Sequence, residues 1–227
     1  MIAKRTLDIV GGGLAIALFS PVLIAAAVAV KVSSPGPVFF IQERIGLKGK
    51  TFSMIKFRSM VQGSEHKGTG LFSFEGDPRI TSVGHFLRKT SLDELPQLFN
   101  VLQGSMSLVG PRPPVTYELG PWDEYSDEMK RRFDVKPGIT GLAQVSGRND
   151  LDWDEKIVFD NQYVALLERK GVLVDIKLLL KTIGVVLRSN SVNEDQSKVE
   201  SSSGEIARRA KSSNLPENSD RKSNESV

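Results

Sequence analysis

Asp93 and Glu94 are adjacent carboxylates inside Leu87-Arg-Lys-Thr-Ser-Leu-Asp-Glu-Leu-Pro-Gln-Leu-Phe-Asn-Val-Leu102, with Arg88 and Lys89 shortly before them. Carboxylates among cations suit a phosphate ligand together with a divalent metal. In such a site one carboxylate can act as nucleophile while the other holds or orients Mg²⁺, so both are candidate catalytic residues and candidate metal ligands. The segment reads as a helix begun at Thr90 and Ser91, with Leu92, Leu95, Phe99 and Leu102 as its apolar stripe. Neighbours on a helix diverge by about 100°, which favours two separate jobs over one symmetric chelate. A plainer reading competes: Ser91-x-x-Glu94 is a capping box, and the helix dipole favours acidic residues in a first turn.

A phosphate site also needs fixed cations, and four stand out: Arg88, Arg112, Lys56 and Arg58. Lys56 and Arg58 are two residues apart in Thr51-Phe-Ser-Met-Ile-Lys-Phe-Arg58. A strand period would project them from one face, along with Phe52 and Met54, as a phosphate clamp. Arg112 lies among Pro111, Pro113 and Pro114, which stiffen the backbone around it. A planar guanidinium fixed in this way suits a phosphate better than a flexible lysine does. Each of these residues also has an ordinary alternative as a solvated surface charge.

The elements that must position them are short. Val38-Phe-Phe-Ile-Gln42 and Thr51–Arg58 read as two strands of a hairpin around a Gly-containing loop. The stretch from Gly63 to Asp77, with His66-Lys-Gly-Thr-Gly70, has no period and reads as a surface loop. Val172 to Arg188 is apolar, with Lys177 and Lys181 four apart. That is the pattern of a helix at a lipid surface, or of a core helix with a solvated lysine face. Beyond Asn190 the chain is rich in Ser, Asn, Glu and Lys, and this 191–227 tail reads as disordered because it buries too little apolar surface to offset its ordering entropy.

The 227 residues suffice for one compact domain with appendages. Thirty Lys and Arg against 27 Asp and Glu leave a net charge of only +3, which does not call for nucleic acid. Cysteine is absent, which excludes disulfides, cysteine zinc sites and a thiol nucleophile. The sequence contains no GxGxxG or Walker A motif, so no nucleotide triphosphatase is indicated.

From Ile9 to Val30 runs a stretch of 22 residues without a charge. As one straight helix it would measure about 33 Å, close to the hydrocarbon thickness of a bilayer. A cleaved signal peptide is one reading, since Lys4 and Arg5 precede it and Ala27-Val-Ala29 resembles a processing site. A spanning anchor kinked at Pro21 is another. The third is a re-entrant helix, in which Pro21 removes a backbone donor and the Ser20 hydroxyl satisfies a freed carbonyl at the break. Positive residues at both ends, Lys4 and Arg5 before and Lys31, Arg44, Lys48 and Lys50 after, favour re-entry with both ends on the cytoplasmic side.

Six motifs occur in order: Ser34-Pro-Gly-Pro-Val-Phe-Phe40, Lys56-Phe-Arg-Ser-Met60, Asp77-Pro-Arg-Ile-Thr81, Leu87 to Leu98, Ser107-Leu-Val-Gly-Pro-Arg-Pro113 and Val135-Lys-Pro-Gly-Ile-Thr-Gly141. With them the chain resembles the bacterial sugar transferase family, the monotopic phosphoglycosyl transferases, in its minimal form with a single re-entrant helix. The resemblance covers about Lys4 to Arg188. It implies an α+β, mainly helical monotopic membrane protein: a re-entrant helix over 1–32 broken at Ser20 and Pro21, a small cytosolic catalytic domain with interfacial helices over 33–190, and the tail outside the family. It implies that Asp93 of the Asp93–Glu94 dyad attacks a UDP-sugar, releasing UMP, and that the sugar phosphate passes to a polyisoprenyl (undecaprenyl) phosphate with Mg²⁺ assisting. Arg88 and Arg112 become phosphate ligands, and Arg148 and Asn149 in Gln144-Val-Ser-Gly-Arg-Asn149 become candidate nucleotide ligands.

One departure is Ser105, where many relatives are acidic, which puts a metal or capping role there in doubt. The implied setting is the cytoplasmic face of the bacterial inner membrane, as the first membrane step of capsule, exopolysaccharide, O-antigen or glycoprotein glycan assembly. A homo-oligomer is compatible with the sequence. The rival from another class is a non-enzymatic membrane-anchored adaptor, in which the carboxylates only cap a helix and the arginines bind anionic lipid.

Overall fold

The computed structural model describes residues 2–64, 76–147 and 151–188. Arg148, Asn149, the 191–227 tail and most of the predicted loop from Gly63 to Asp77 lie outside the described residues. Helices predominate over two small sheets, in agreement with the α+β, mainly helical expectation.

The first element, α1 (Ile2–Ser33), contains the apolar stretch and runs through Pro21 without interruption. The expected break at Ser20 and Pro21 is therefore not a break in the helix. Pro21 cannot donate to the carbonyl of Ala17, but the Ser20 hydroxyl donates to that oxygen at 2.9 Å, so the orphaned acceptor is satisfied in place. Among the described residues α1 is the one helix long and apolar enough to cross a membrane.

Both ends of α1 dock on the same folded body. Near its start, Lys4 donates to the Asp175 carboxylate at 2.7 Å, the Val109 carbonyl and the Tyr163 hydroxyl. Arg5 donates to the carbonyls of Val101 and Leu102, and the buried Asp8 accepts from Ser107 Oγ and the Leu108 amide. Gly11 and Gly12 allow this close approach, since a Cβ on Gly11 would lie 2.8 Å from Leu108 Cδ1. Near its end, Leu23, Ala26 and Val30 are buried with Phe57 and Leu87. The outward face is apolar, with Leu14, Leu18, Ile24 and Val28 all exposed.

The hairpin forms as predicted, and extends further: β1 (Phe39–Ile45) pairs antiparallel with β2 (Thr51–Phe57), Phe39 opposite Phe57 and Ile45 opposite Thr51. Then come α2 (Ser82–Lys89), capped by Thr81 Oγ1 on the Gly84 amide, and α3 (Gln97–Gln103). The short β3 (Ser107–Val109) runs parallel to β4 (Gly138–Thr140). At the ends of these strands Gly110, Gly138 and Gly141 bring two backbones together so tightly that a Cβ at any of them would strike backbone atoms.

Between β3 and β4 lies α4 (Asp127–Arg131). After β4 follow α5 (Leu142–Ser146), α6 (Trp153–Lys170, with a full Asp152/Glu155 capping box) and α7 (Leu173–Arg188). The main core gathers Met54, Leu98, Val101, Met106, Val109, Tyr163 and Leu178 from most of these elements. Helix α7 buries Val174, Asp175 and Leu178 on one side. It leaves Leu173, Ile176, Leu180 and Ile183 exposed on the other, beside the exposed Lys177 and Lys181. One side of α7 thus packs in the core, while the other carries an apolar stripe beside the two lysines.

Candidate active site

The predicted helix over 87–102 is two helices joined by a tight turn. Helix α2 ends at Lys89, where Thr90 Oγ1 donates back to the carbonyls of Phe86 and Leu87. Ser91 takes a left-handed conformation, φ 57°, that reverses the chain. Leu92–Glu94 form one 3₁₀ turn and Pro96 precedes α3. Pro96 has no N–H to offer the Leu92 carbonyl, which accepts from the Leu95 amide at 3.2 Å instead. A continuous helix would lose that bond.

The reversal decides the capping question. Ser91 makes no side-chain cap bond, and the Glu94 carboxylate does not turn back to close a box. Its Oε1 accepts from Lys56 Nζ at 3.1 Å and from Arg112 Nη2 at 2.9 Å. Lys56 comes from β2 and Arg112 from the loop after β3, so three distant segments meet on one oxygen. Both hydrogen bonds fall on Oε1, leaving Oε2 for another cation. Burial alone would raise the Glu94 pKa, but Arg112 and Lys56 more than reverse that and hold it well below the usual carboxylate range. Burial lowers the Lys56 pKa against the pull of Glu94, while Glu94 raises that of Arg112.

Asp93 has the opposite electrostatics. Burial first, and then the neighbouring Glu94 charge, push its carboxyl up to about 6, against the pull of Lys56, Arg88 and Arg112. The two carboxylates thus differ by environment, one fixed as an anion and the other basic and poised near neutrality. Arg88, on the last turn of α2, lines the same cavity and adds positive charge at Asp93.

Arg58 lines the same cavity, but its hydrogen bonds go to another segment. Strand β2 ends at Phe57, so the alternation that would align Arg58 with Lys56 stops one residue short. The Arg58 guanidinium turns to the end of α1 and donates to the carbonyls of Ser34 and Pro35 at 2.8 and 2.9 Å, closing that turn. Ser105 bonds to the Asn100 carbonyl behind α3, away from the carboxylates.

Sequence reasoning missed two arginines. Arg44 of β1 donates to Gln42 Oε1 and to the Pro113 carbonyl at 2.9 Å, fixing the proline loop that carries Arg112. Burial and Arg112 lower its pKa to about 10. Cross-strand pairing places Arg44, Gln42 and Lys56 on one face, so the strand period contained the signal. Arg132, almost fully buried, supports the same loop by donating to the Arg112 carbonyl at 2.7 Å, and it is paired with Asp160. No short-range pattern marks that pair.

A cavity of about 960 Å³ joins these parts. Asp93, Glu94, Arg88 and Arg112 line a polar region, and Ala15 and Phe19 of α1 with Leu179, Val185 and Val186 of α7 line an apolar one. Among the described residues no three His, Cys, Asp or Glu form a metal cluster by themselves. Two carboxylates completed by substrate phosphates and water are nonetheless a normal Mg²⁺ environment.

The profile of the bacterial sugar transferase family matches residues 1–189. The chain belongs to this family. It is 46% identical over 199 residues to the undecaprenyl-phosphate galactose phosphotransferase of Salmonella typhimurium, a match covering 82% of this chain and 40% of that protein. It is 45% identical over 185 residues to the UDP-glucose:undecaprenyl-phosphate glucose-1-phosphate transferase of Escherichia coli, covering 79% and 39%. The chain thus spans about two fifths of the length of these relatives. Against the exopolysaccharide production protein ExoY of Rhizobium meliloti it is 39% identical over 201 residues, covering 82% of this chain and 86% of that one.

The electrostatics at Asp93 predict a stability effect whose sign separates chemistry from capping. The folded pKa of about 6 lies above the usual 3.8, so the unfolded state ionises first as pH rises. The fold then loses stability between about pH 4 and 6, and the deficit persists above 6. In metal-free protein Asp93→Asn should therefore raise stability at pH 8 by about 1–2 kcal/mol, after discounting for partial exposure, and the gain should vanish towards pH 4. Denaturation of both forms at pH 4, 6 and 8 checks this. A helix-capping aspartate would show the opposite, a loss of about 1 kcal/mol.

Proposed function

We propose that this chain transfers a sugar 1-phosphate from a UDP-sugar to a polyisoprenyl (undecaprenyl) phosphate, releasing UMP, on the cytoplasmic face of the bacterial inner membrane. The observation that carries this reading is the unequal carboxylate pair, a poised Asp93 beside an arginine- and lysine-fixed Glu94, in a cavity lined also by apolar residues of α1 and α7. A diphosphate fits the cationic end and a lipid chain fits the apolar end. The names of the relatives point to the same two substrates.

In the proposed reaction the Asp93 carboxylate attacks the β-phosphorus of the donor. The bond from that phosphorus to the bridging oxygen breaks, UMP leaves with the electron pair, and the sugar phosphate remains on Asp93 as an acyl phosphate. An oxygen of the polyisoprenyl phosphate then attacks the same phosphorus and expels the Asp93 carboxylate. Arg88 and Arg112 stabilise charge on the phosphoryl oxygens, and Lys56 keeps Glu94 oriented and ionised. Mg²⁺ held by Asp93 and Glu94 would neutralise the diphosphate as it binds.

Docking of both ends of α1 on one folded body supports attachment of the helix from a single side of the membrane. The exposed apolar stripe of α7, edged by lysines, suits the interface on that side. The adaptor reading rested on helix capping, and Glu94 closes no capping box.

Purified protein with undecaprenyl phosphate, Mg²⁺ and a panel of UDP-sugars should release UMP with at least one donor. Asp93→Asn should abolish turnover, and Glu94→Gln should weaken its metal dependence. Near-normal turnover by Asp93→Asn would remove the nucleophile from the scheme. Because the chain has no cysteine, single cysteines at Ala3 and Lys48 report topology directly. Both should react from the cytoplasmic side in intact cells, and labelling of position 3 only by an impermeant reagent outside would mean a spanning helix.

A further inference from the structure

From Pro111 to Pro114, the stretch that carries Arg112, every backbone carbonyl is held. The Pro111 oxygen accepts from the Gly138 amide at 2.9 Å and that of Arg112 from Arg132 Nη2 at 2.7 Å. The Pro113 oxygen accepts from Arg44 Nη1 at 2.9 Å and that of Pro114 from the Ile45 amide at 3.1 Å. Prolines have no N–H to bond, so these acceptors supply most of the hydrogen-bond restraint on the loop. Arg132 reaches its carbonyl from the buried interior, where it pairs with Asp160. Arg44 is different, because it lines the cavity together with Lys56, Glu94 and Arg112.

Attachment of the loop does not by itself call for a guanidinium at this place. The Ile45–Pro114 bond and the bridge between Arg44 and Val115 already join the two backbones. A neutral donor could bond the Pro113 carbonyl without like-charge repulsion. Instead Arg44 lies in the field of two other cations. Burial and Arg112 lower its pKa to about 10, and burial, then Arg112 and Arg44, lower that of Lys56. What a guanidinium offers in return is a rigid fork with several donors in fixed directions. Nε and Nη2 both donate to Gln42 Oε1, at 3.1 and 2.6 Å, which aims Nη1 at the carbonyl immediately after Arg112. Glu118 Oε2, held by the Val115 amide at 2.8 Å, lies 3.9 Å from Nη1 and offsets part of the charge. The Arg112 guanidinium then meets Glu94 Oε1, the same oxygen that Lys56 of β2 holds. One strand of the hairpin aims the loop and the other fixes its target.

We propose that Arg44, oriented by Gln42, is a positioning residue of the reaction: through the Pro113 carbonyl it sets where the Arg112 guanidinium stands between Glu94 and the donor phosphates. The inference rests on the transferase reading above. Both residues act through Arg112 and need no contact with substrate. Arg112 matters most while charge builds on the phosphoryl oxygens, so a misaimed loop slows the chemical step more than it weakens donor binding.

The test uses the full-length protein in nanodiscs with Mg²⁺, undecaprenyl phosphate and the UDP-sugar that supports UMP release. kcat and donor KM are measured for wild type, Arg44→Met, Gln42→Leu, Arg112→Gln and each of the first two combined with Arg112→Gln. Arg112→Lys replaces Arg112→Gln if the latter is too slow to measure. Circular dichroism and thermal denaturation report folding. Arg44→Met should lower kcat by about tenfold and change donor KM by less than about twofold. Gln42→Leu, which keeps the Arg44 cation but frees its fork, should lower kcat by about threefold. In the Arg112 variant both penalties should shrink to less than about twofold, because the group being aimed is gone. If Arg44→Met does not fold, the Gln42→Leu pair decides alone. Equal penalties with and without Arg112 overturn the positioning role and leave the transferase reading intact. So does a lowered melting temperature with kcat unchanged, which would make Arg44 a brace only. Absence of UMP release by wild-type protein from every donor overturns the transferase reading and this inference with it.

Discussion

One oxygen of Glu94, shared between Lys56 and Arg112, is the contact on which the carboxylate site of this molecule depends. It ties the hairpin, the 3₁₀ turn and the proline loop into a single unit, although these lie 38 and 18 residues from one another in sequence. A buried carboxylate is costly without partners, and two cations at close range stabilise it as the anion. That fixed charge helps to keep a proton on Asp93 up to about pH 6. Adjacent carboxylates of identical chemistry thereby acquire different properties. The left-handed Ser91 is strained for a residue with a Cβ, and the ion cluster helps to offset that strain.

The second constraint is how α1 is attached. Its first turns are bound by charge, with Lys4 on Asp175 and Asp8 on the β3 backbone, and its last turns by apolar packing on Phe57 and Leu87. Asp175 has no exposed side-chain surface, so withdrawing Lys4 would leave a buried charge unpaired. The helix is therefore part of the domain and not a tether. This brings Ala15 and Phe19 into the lining of the cavity that holds the carboxylates.

Much of this could be read from residue types and periods. The hairpin, the amphipathic pattern of α7 and the gathering of Lys56, Arg88 and Arg112 around Asp93 and Glu94 follow from alternation, amphipathicity and charge. The continuous helix over 87–102 did not survive, because a leucine stripe continues across a turn as readily as along a helix, and only Thr90 and Pro96 hint at the interruption. Arg58 lies one residue past the end of β2, so the two-residue period does not extend to it and its guanidinium bonds Ser34 and Pro35. The Ser20 hydroxyl bonds the carbonyl freed by Pro21 as the sequence suggested, and the helix continues through that position. Arg132 and Asp160 are 28 residues apart and meet only through tertiary packing, so no local pattern could pair them.

The central claim is that Asp93 and Glu94 do different work, one forming a bond to phosphorus and the other remaining an anion. The most direct measurement mixes protein, Mg²⁺ and a UDP-sugar radiolabelled in its sugar, with no polyisoprenyl phosphate present. The account predicts UMP release of up to one equivalent and label on the protein, chased onto lipid phosphate when it is added. Asp93→Asn should abolish that label, whereas Glu94→Gln should slow its formation without preventing it. If complete mixtures turn over rapidly yet neither burst nor protein label forms without lipid, the covalent role of Asp93 is contradicted and the lipid phosphate must attack the donor directly.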